Sequence, residues 1–101
     1  MTKRDPIIDP AQEAEDRKRQ EAIRNLKLKT DWKQVLSTRS GRAVIWSILS
    51  EAGLFNPVFD TNALSMAFKE GRRNYGLKVL DAVMRIAPEA YQRMQEESHD
   101  R

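Results

Sequence analysis

Apolar positions are sparse and scattered up to Lys29 and then recur at helical spacing from Trp32 to Tyr91, so the chain separates into a polar N-terminal part and a part able to build a core. Asp9, Pro10 and Gln12 form a helix start: an acceptor side chain at the N-cap, proline at the first helical position, and glutamine three residues after the cap. The helix that follows is expected from about Pro10 to Leu28. Only Ala14, Ala22, Ile23, Leu26 and Leu28 are available to bury, and Glu13 with Arg17 and Glu15 with Arg19 form favourable i,i+4 pairs. It reads as a solvated helix that orders on a partner, preceded by a mobile arm over Met1 to Asp9.

Thr30 or Asp31 is placed to cap a short helix through Trp32, Val35 and Leu36, closed by Ser37-Thr38-Arg39-Ser40-Gly41. From Arg42 to Ala52, the residues Val44, Ile45, Ile48, Leu49 and Ala52 follow the three-and-four spacing of a buried face, and Gly53 supplies the stop. Leu54, Phe55, Val58 and Phe59 around Pro57 predict an apolar loop that plugs the end of a helical core. Asp60 or Thr61 then caps a long helix from about Asn62 to Ala87. Its predicted buried face is Leu64, Phe68, Gly71, Tyr75, Val79, Ala82, Val83 and Ile86, with a second stripe of Leu77, Leu80 and Met84. With no proline between them, Gly71 and Gly76 lie within one continuous helix, the alternative being a break at Gly76. Pro88 starts a last helix, Glu89 to Glu97, anchored by Tyr91 and Met94.

The pattern defines an all-α fold, a small bundle of four to five helices with a long central glycine-containing helix and a polar N-terminal helix. The expected division is a charged arm and helix over 1–30, a helical domain over 31–97 and a disordered tail over 98–101. A helix-interior glycine costs roughly 1 kcal/mol relative to alanine, so Gly71 is expected to admit a close-packed neighbouring helix, with Arg72 and Arg73 turned outward beside it.

Composition narrows the function classes. At 101 residues the chain is one domain at most, and without cysteine it has no disulfide, thiolate metal site or cysteine nucleophile. No apolar run approaches the roughly 20 residues that cross a bilayer, and Met1 to Pro10 lacks the apolar core of a signal peptide. The formal charge is +3, but basic and acidic residues are interspersed, eight against six over 1–30 and eight against five over 31–88. That mixture gives no dense single-sign field of the kind that marks a nucleic-acid partner.

Motifs with chemical meaning fail on inspection. Gly71-x-x-x-x-Gly76-Leu77-Lys78 has leucine where a phosphate-binding loop needs lysine, valine at 79 in place of the hydroxyl, and no preceding strand. Glu96-x-x-His99 has the spacing of one half of a carboxylate-bridged di-metal site, but His99 is the only histidine and the second copy is missing. The connection from Gly53 to Asp60 is too long for a helix-turn-helix. No serine has a histidine base, so catalytic, metal-binding and cofactor-binding residues are all read as none. Arg39, Arg42, Lys69, Arg72 and Arg73 could form a basic patch for phosphates, although a solvated face is the favoured reading. Trp46 lies off the main stripe of its helix and is covered either by the short helix at Trp32 or by a partner.

Gly41-Arg42 with Ile45-Trp46, Leu49, Ala52-Gly53-Leu54-Phe55, the block Ala67-Phe68-Lys69-Glu70-Gly71-Arg72-Arg73-Asn74 with Gly76-Leu77, and Pro88-Glu89-Ala90-Tyr91 before Met94 and Glu97 resemble a family of short tailed-phage proteins. These come from the structural and assembly gene region and are typified by a protein of a Bordetella short-tailed phage. The resemblance spans about Trp32 to Glu97, and its most specific element is Phe68, Glu70, Gly71, Arg72, Arg73 and Asn74. It implies a phage gene product tied to the virion or its assembly, acting in the host cytoplasm during infection or in the particle, without catalytic residues.

Within that resemblance, Arg42, Trp46, Lys69, Arg72 and Arg73 are the expected partner-binding residues. Phe68, Glu70, Gly71, Asn74 and Gly76 are the motif and packing positions, with Asn74 expected to bond backbone near a glycine bend. The expected partners are larger phage structural or assembly proteins, with weak DNA contact, self-association and no membrane. The alternatives are a nucleic-acid-associated protein packaged or ejected with the genome, and a phage factor that binds a host protein.

Overall fold

The computed structural model describes residues 9–57 and 59–100. Residues 1–8 of the expected mobile arm, Val58 of the expected loop plug and the final residue of the expected tail lie outside the described residues. Four helices follow one another: α1 over Pro10–Leu36, α2 over Arg39–Glu51, α3 over Ala63–Ile86 and α4 over Pro88–Ser98. Every described residue in a regular element is helical, so the fold class is all-α.

The chain divides into two compact units, Met1–Asp31 and Trp32–Arg101. In the first, α1 exposes every residue from Pro10 to Asp31 except the half-buried Ala14, including Ile23, Leu26 and Leu28. Asp9 caps it by accepting from the Ala11 N–H at 3.0 Å, and Arg17 pairs with Glu13 at 2.8 Å. The expected break at Thr30 and Asp31 is absent, and α1 runs unbroken for 27 residues. Thr30 spends its hydroxyl on the Leu26 carbonyl one turn back, 3.1 Å away, a bond that keeps it inside the helix rather than at a cap.

In the second unit, α2 packs on α4 and on α3, and α3 packs on α4. The core is Leu36, Ile45, Leu49, Val83, Ala87, Ala90 and Met94, with Trp32, Trp46, Leu54, Val79, Leu80, Ile86 and Tyr91 packed around it. α2 starts at Arg39, three residues before the expected Arg42, because Thr38 caps it by accepting from the Gly41 N–H at 3.0 Å. Gly53 ends it at φ 79°, the left-handed conformation that a stop residue needs.

α3 is capped by Asn62, whose side chain accepts from the Ser65 N–H at 2.9 Å, instead of by Asp60 or Thr61. It continues without interruption through both glycines. The close contact expected at Gly71 falls instead at Gly76, itself an expected motif or packing position. Gly71 is exposed, with no atom within 4 Å of the place a Cβ would take, whereas Gly76 is buried and a Cβ there would stand 2.5 Å from Ala52 Cβ. The close approach of α2 to α3 is therefore made at Gly76.

That shift changes which face of α3 is covered. The row that turns inward is Ser65, Lys69, Arg73, Gly76, Leu80 and Val83, each at least half-buried. Leu64, Phe68 and Tyr75 are exposed, at 84%, 70% and 67%, so the N-terminal half of the predicted core stripe is on the surface. Val79, Ala82, Val83 and Ile86 are covered as expected. The loop plug is partial: Leu54 packs on the core, Phe55 stacks on Trp46, and Phe59 is exposed.

Candidate interaction surface

Arg42 is one of the best-buried side chains of the second unit, only 6% exposed. Its Nε and Nη2 donate to the two carboxylate oxygens of Glu97 at 2.9 and 2.8 Å, and its Nη1 donates to the Leu36 carbonyl at 3.0 Å. One guanidinium thus joins the end of α1, the start of α2 and the end of α4. A planar fork of donors matches a carboxylate in this bidentate way where a lysine would not. The hydrogen bond with Glu97 raises the Arg42 pKa against the opposing effect of burial, and the same bond holds the Glu97 carboxyl below its ordinary range.

This geometry corrects the reading of Arg42 as a partner-binding residue, since its donors are already committed inside the domain. Gly41 beside it has an equally local reason: a Cβ there would collide with the Val35 carbonyl oxygen. Trp46 is covered within the chain, and the cover is Phe55, stacked at 5.0 Å between ring centroids, with Tyr91 at 6.2 Å, rather than the short helix expected at Trp32.

Asp60 organises the start of α3. Its Oδ1 accepts from the Asn62 N–H at 2.9 Å, and its Oδ2 accepts from Ser65 Oγ at 2.8 Å and Lys69 Nζ at 2.9 Å. The backbone bond from Asn62 and the bonds from Lys69 and Ser65 hold its carboxyl far below the usual range. Lys69 is thereby drawn inward. Beside it, Lys69 and Arg72 line a small recess of about 160 Å³ with Ala52, Gly53, Asn56 and Pro57.

The block from Phe68 to Asn74 therefore wraps around α3 instead of sharing one face. Phe68 is exposed, so its expected packing role is corrected: its ring lies 5.8 Å from the Arg72 guanidinium carbon, at the reach of a cation–π contact. Glu70, Gly71, Arg72 and Asn74 are exposed, and the uninterrupted helix contains no glycine bend for Asn74 to brace. Arg73 is half-buried, with its Nε shut away from solvent and from any hydrogen-bond acceptor.

The five basic residues do not converge on one free patch. Arg42 is held by Glu97, Lys69 by Asp60, and Arg39 lies 3.8 Å from Asp100. Leu64 and Tyr75 are surface features that sequence reasoning assigned to the core. Asp60 and Glu97 are the organising carboxylates: Asp60 is expected from the sequence only as a helix cap, and nothing in the chain points to the pairing of Glu97 with Arg42. A shallow groove of about 400 Å³ also runs between Lys33, Leu36, Ile86, Glu89, Ala90 and Arg93. Among the described residues no cluster of metal-ligating side chains is present, and no helix is long and apolar enough to cross a membrane.

The second unit is a helical domain packed around one apolar centre, with the motif block displayed along α3. The chain belongs to the family of Bbp19-like phage proteins, whose model matches residues 32–96, more than half of its length. The match opens at Trp32, where the second unit begins. No curated protein and no solved structure matches the chain.

Proposed function

We propose that this protein is a non-enzymatic component of the virion or of its assembly, which works by docking one of its helices onto larger phage structural proteins. The observation that carries the reading is the exposure of Leu64, Phe68 and Tyr75 on α3, within and beside the family's motif block. Large apolar side chains placed together on a surface are an interface signature when they fall on one face, as these do. Membership of a phage family supports this reading, on which the protein acts in the host cytoplasm during infection or in the particle.

The competing reading as a genome-associated protein has less support. Of the five basic residues that reading relies on, Arg42 and Lys69 already neutralise carboxylates, which weakens the patch as a set of phosphate contacts. Mass spectrometry of purified particles and of assembly intermediates tests the proposal. The protein is expected in at least one of them, and its absence from both overturns the docking reading.

A further inference from the structure

The N-terminal half of α3 carries a row that no described residue of the second unit covers. Leu64, Phe68 and Tyr75 are exposed, and Gly71, midway along the same row, faces open space. This row is rotated about a third of a turn from the one that α2 covers. A glycine in an exposed helix interior costs about 1 kcal/mol against alanine, and no close approach inside the domain offsets it. A second helix crossing at Gly71 would use the missing side chain, with Leu64 and Phe68 on one side of the crossing and Tyr75 on the other.

The rims of this row are basic. Arg72 borders it on one side and Lys78 on the other, and neither has an ion-pair partner among the described residues. Of the acidic residues of α3, Glu70 and Asp81 project a third of a turn or more away from the row at about 100° per residue, and Asp81 is bonded to Arg85. A second copy of this chain would set Arg72 and Lys78 against Arg72 and Lys78, a like-charge juxtaposition that disfavours it. Duplex DNA would satisfy the arginine but leave Leu64 and Phe68 uncovered.

Resting on the docking reading above, we propose that the Leu64, Phe68, Gly71 and Tyr75 face of α3 seats an amphipathic helix of another phage protein whose apolar row is bordered by aspartate and glutamate. Its anchors sit at helical spacing, and its carboxylates meet Arg72 and Lys78 across the rims.

The test uses the full chain, expressed during infection with the photo-crosslinking residue p-benzoylphenylalanine replacing Tyr75, and sequencing of the adduct peptide. The expected adduct is a segment of another phage protein with apolar residues at helical spacing and net negative charge. Combining Arg72→Glu with Lys78→Glu should lower its yield by about tenfold or more, by reversing the charge complementarity. Gly71→Leu should lower it likewise, with the thermal melt of the protein retained. The same crosslinker at the exposed Gln92 of α4 should give no such adduct. An adduct to a second copy, to DNA or to a segment that is not acidic overturns the proposal. So does the absence of any adduct at position 75 from particles that contain the protein, an outcome that leaves the docking reading itself standing.

Discussion

Arg42 and Glu97, 55 residues apart in the chain, meet through two hydrogen bonds of 2.9 and 2.8 Å and close the helical domain upon itself. Because Arg42 also holds the Leu36 carbonyl, its loss would strand both a carboxylate and a helix end. Removing one member of a buried pair is far more damaging than removing an exposed one. Arg42→Met and Glu97→Gln are therefore expected to lower the thermal midpoint clearly. Arg85→Gln, which breaks an exposed i,i+4 pair with Asp81, should leave it nearly unchanged. Equal midpoints for all three variants would show that the fork contributes nothing.

Stability should fall in acid, and the sign follows from the carboxylates. Glu97 and Asp60 both have pKa values lowered on folding, so the unfolded chain binds protons more readily than the native one as pH falls. The contribution is complete above the usual carboxylate range near about pH 4 and is lost as pH drops through the lower folded values. Thermal melts from neutral pH downward should show this decline, and Glu97→Gln should reduce its slope. A midpoint independent of pH below 4 in the parent chain would contradict the assignment.

The two glycines of α3 should respond in opposite directions to alanine. Gly71→Ala adds a methyl group in open space and should stabilise by up to about 1 kcal/mol through helix propensity. Gly76→Ala drives a Cβ into Ala52 and should destabilise by about 1–2 kcal/mol net, since overpacking outweighs the propensity gain. Denaturant midpoints separate them, and a stabilised Gly76→Ala variant would refute the close contact.

Removal of residues 1–29 should leave the melting transition of the remainder largely intact, since no described residue of that stretch is buried. In the full chain, amides from Ala11 to Lys29 should exchange rapidly, while those around Leu49 and Val83 should be protected to near the global stability. Calorimetry of the shortened chain and exchange mass spectrometry of the intact one check the two halves of this expectation.

The helix content, the stop at Gly53, the passage of α3 through both glycines and the covering of Val79, Ala82, Val83 and Ile86 were legible in the sequence. Local signals decide those features. The face of the first half of α3 was not legible, because Leu64, Phe68 and Tyr75 match helical periodicity better than the row that is covered, which contains Ser65, Lys69 and Arg73. Periodicity reports where apolar residues align, whereas burial is decided by where Gly76 lets α2 approach. The fork of Arg42 with Glu97 was hidden for a related reason: a long-range ion pair leaves no spacing in the chain to read.

The boundary at Trp32 bears on how such a gene can change. Every residue of the apolar core lies after it, and the family match starts there as well. A recombination junction placed upstream of the Trp32 codon would exchange the charged part of α1 while keeping the whole packed interior within a single inherited cassette. The charged stretch could then change in sequence without any change in the packed interior.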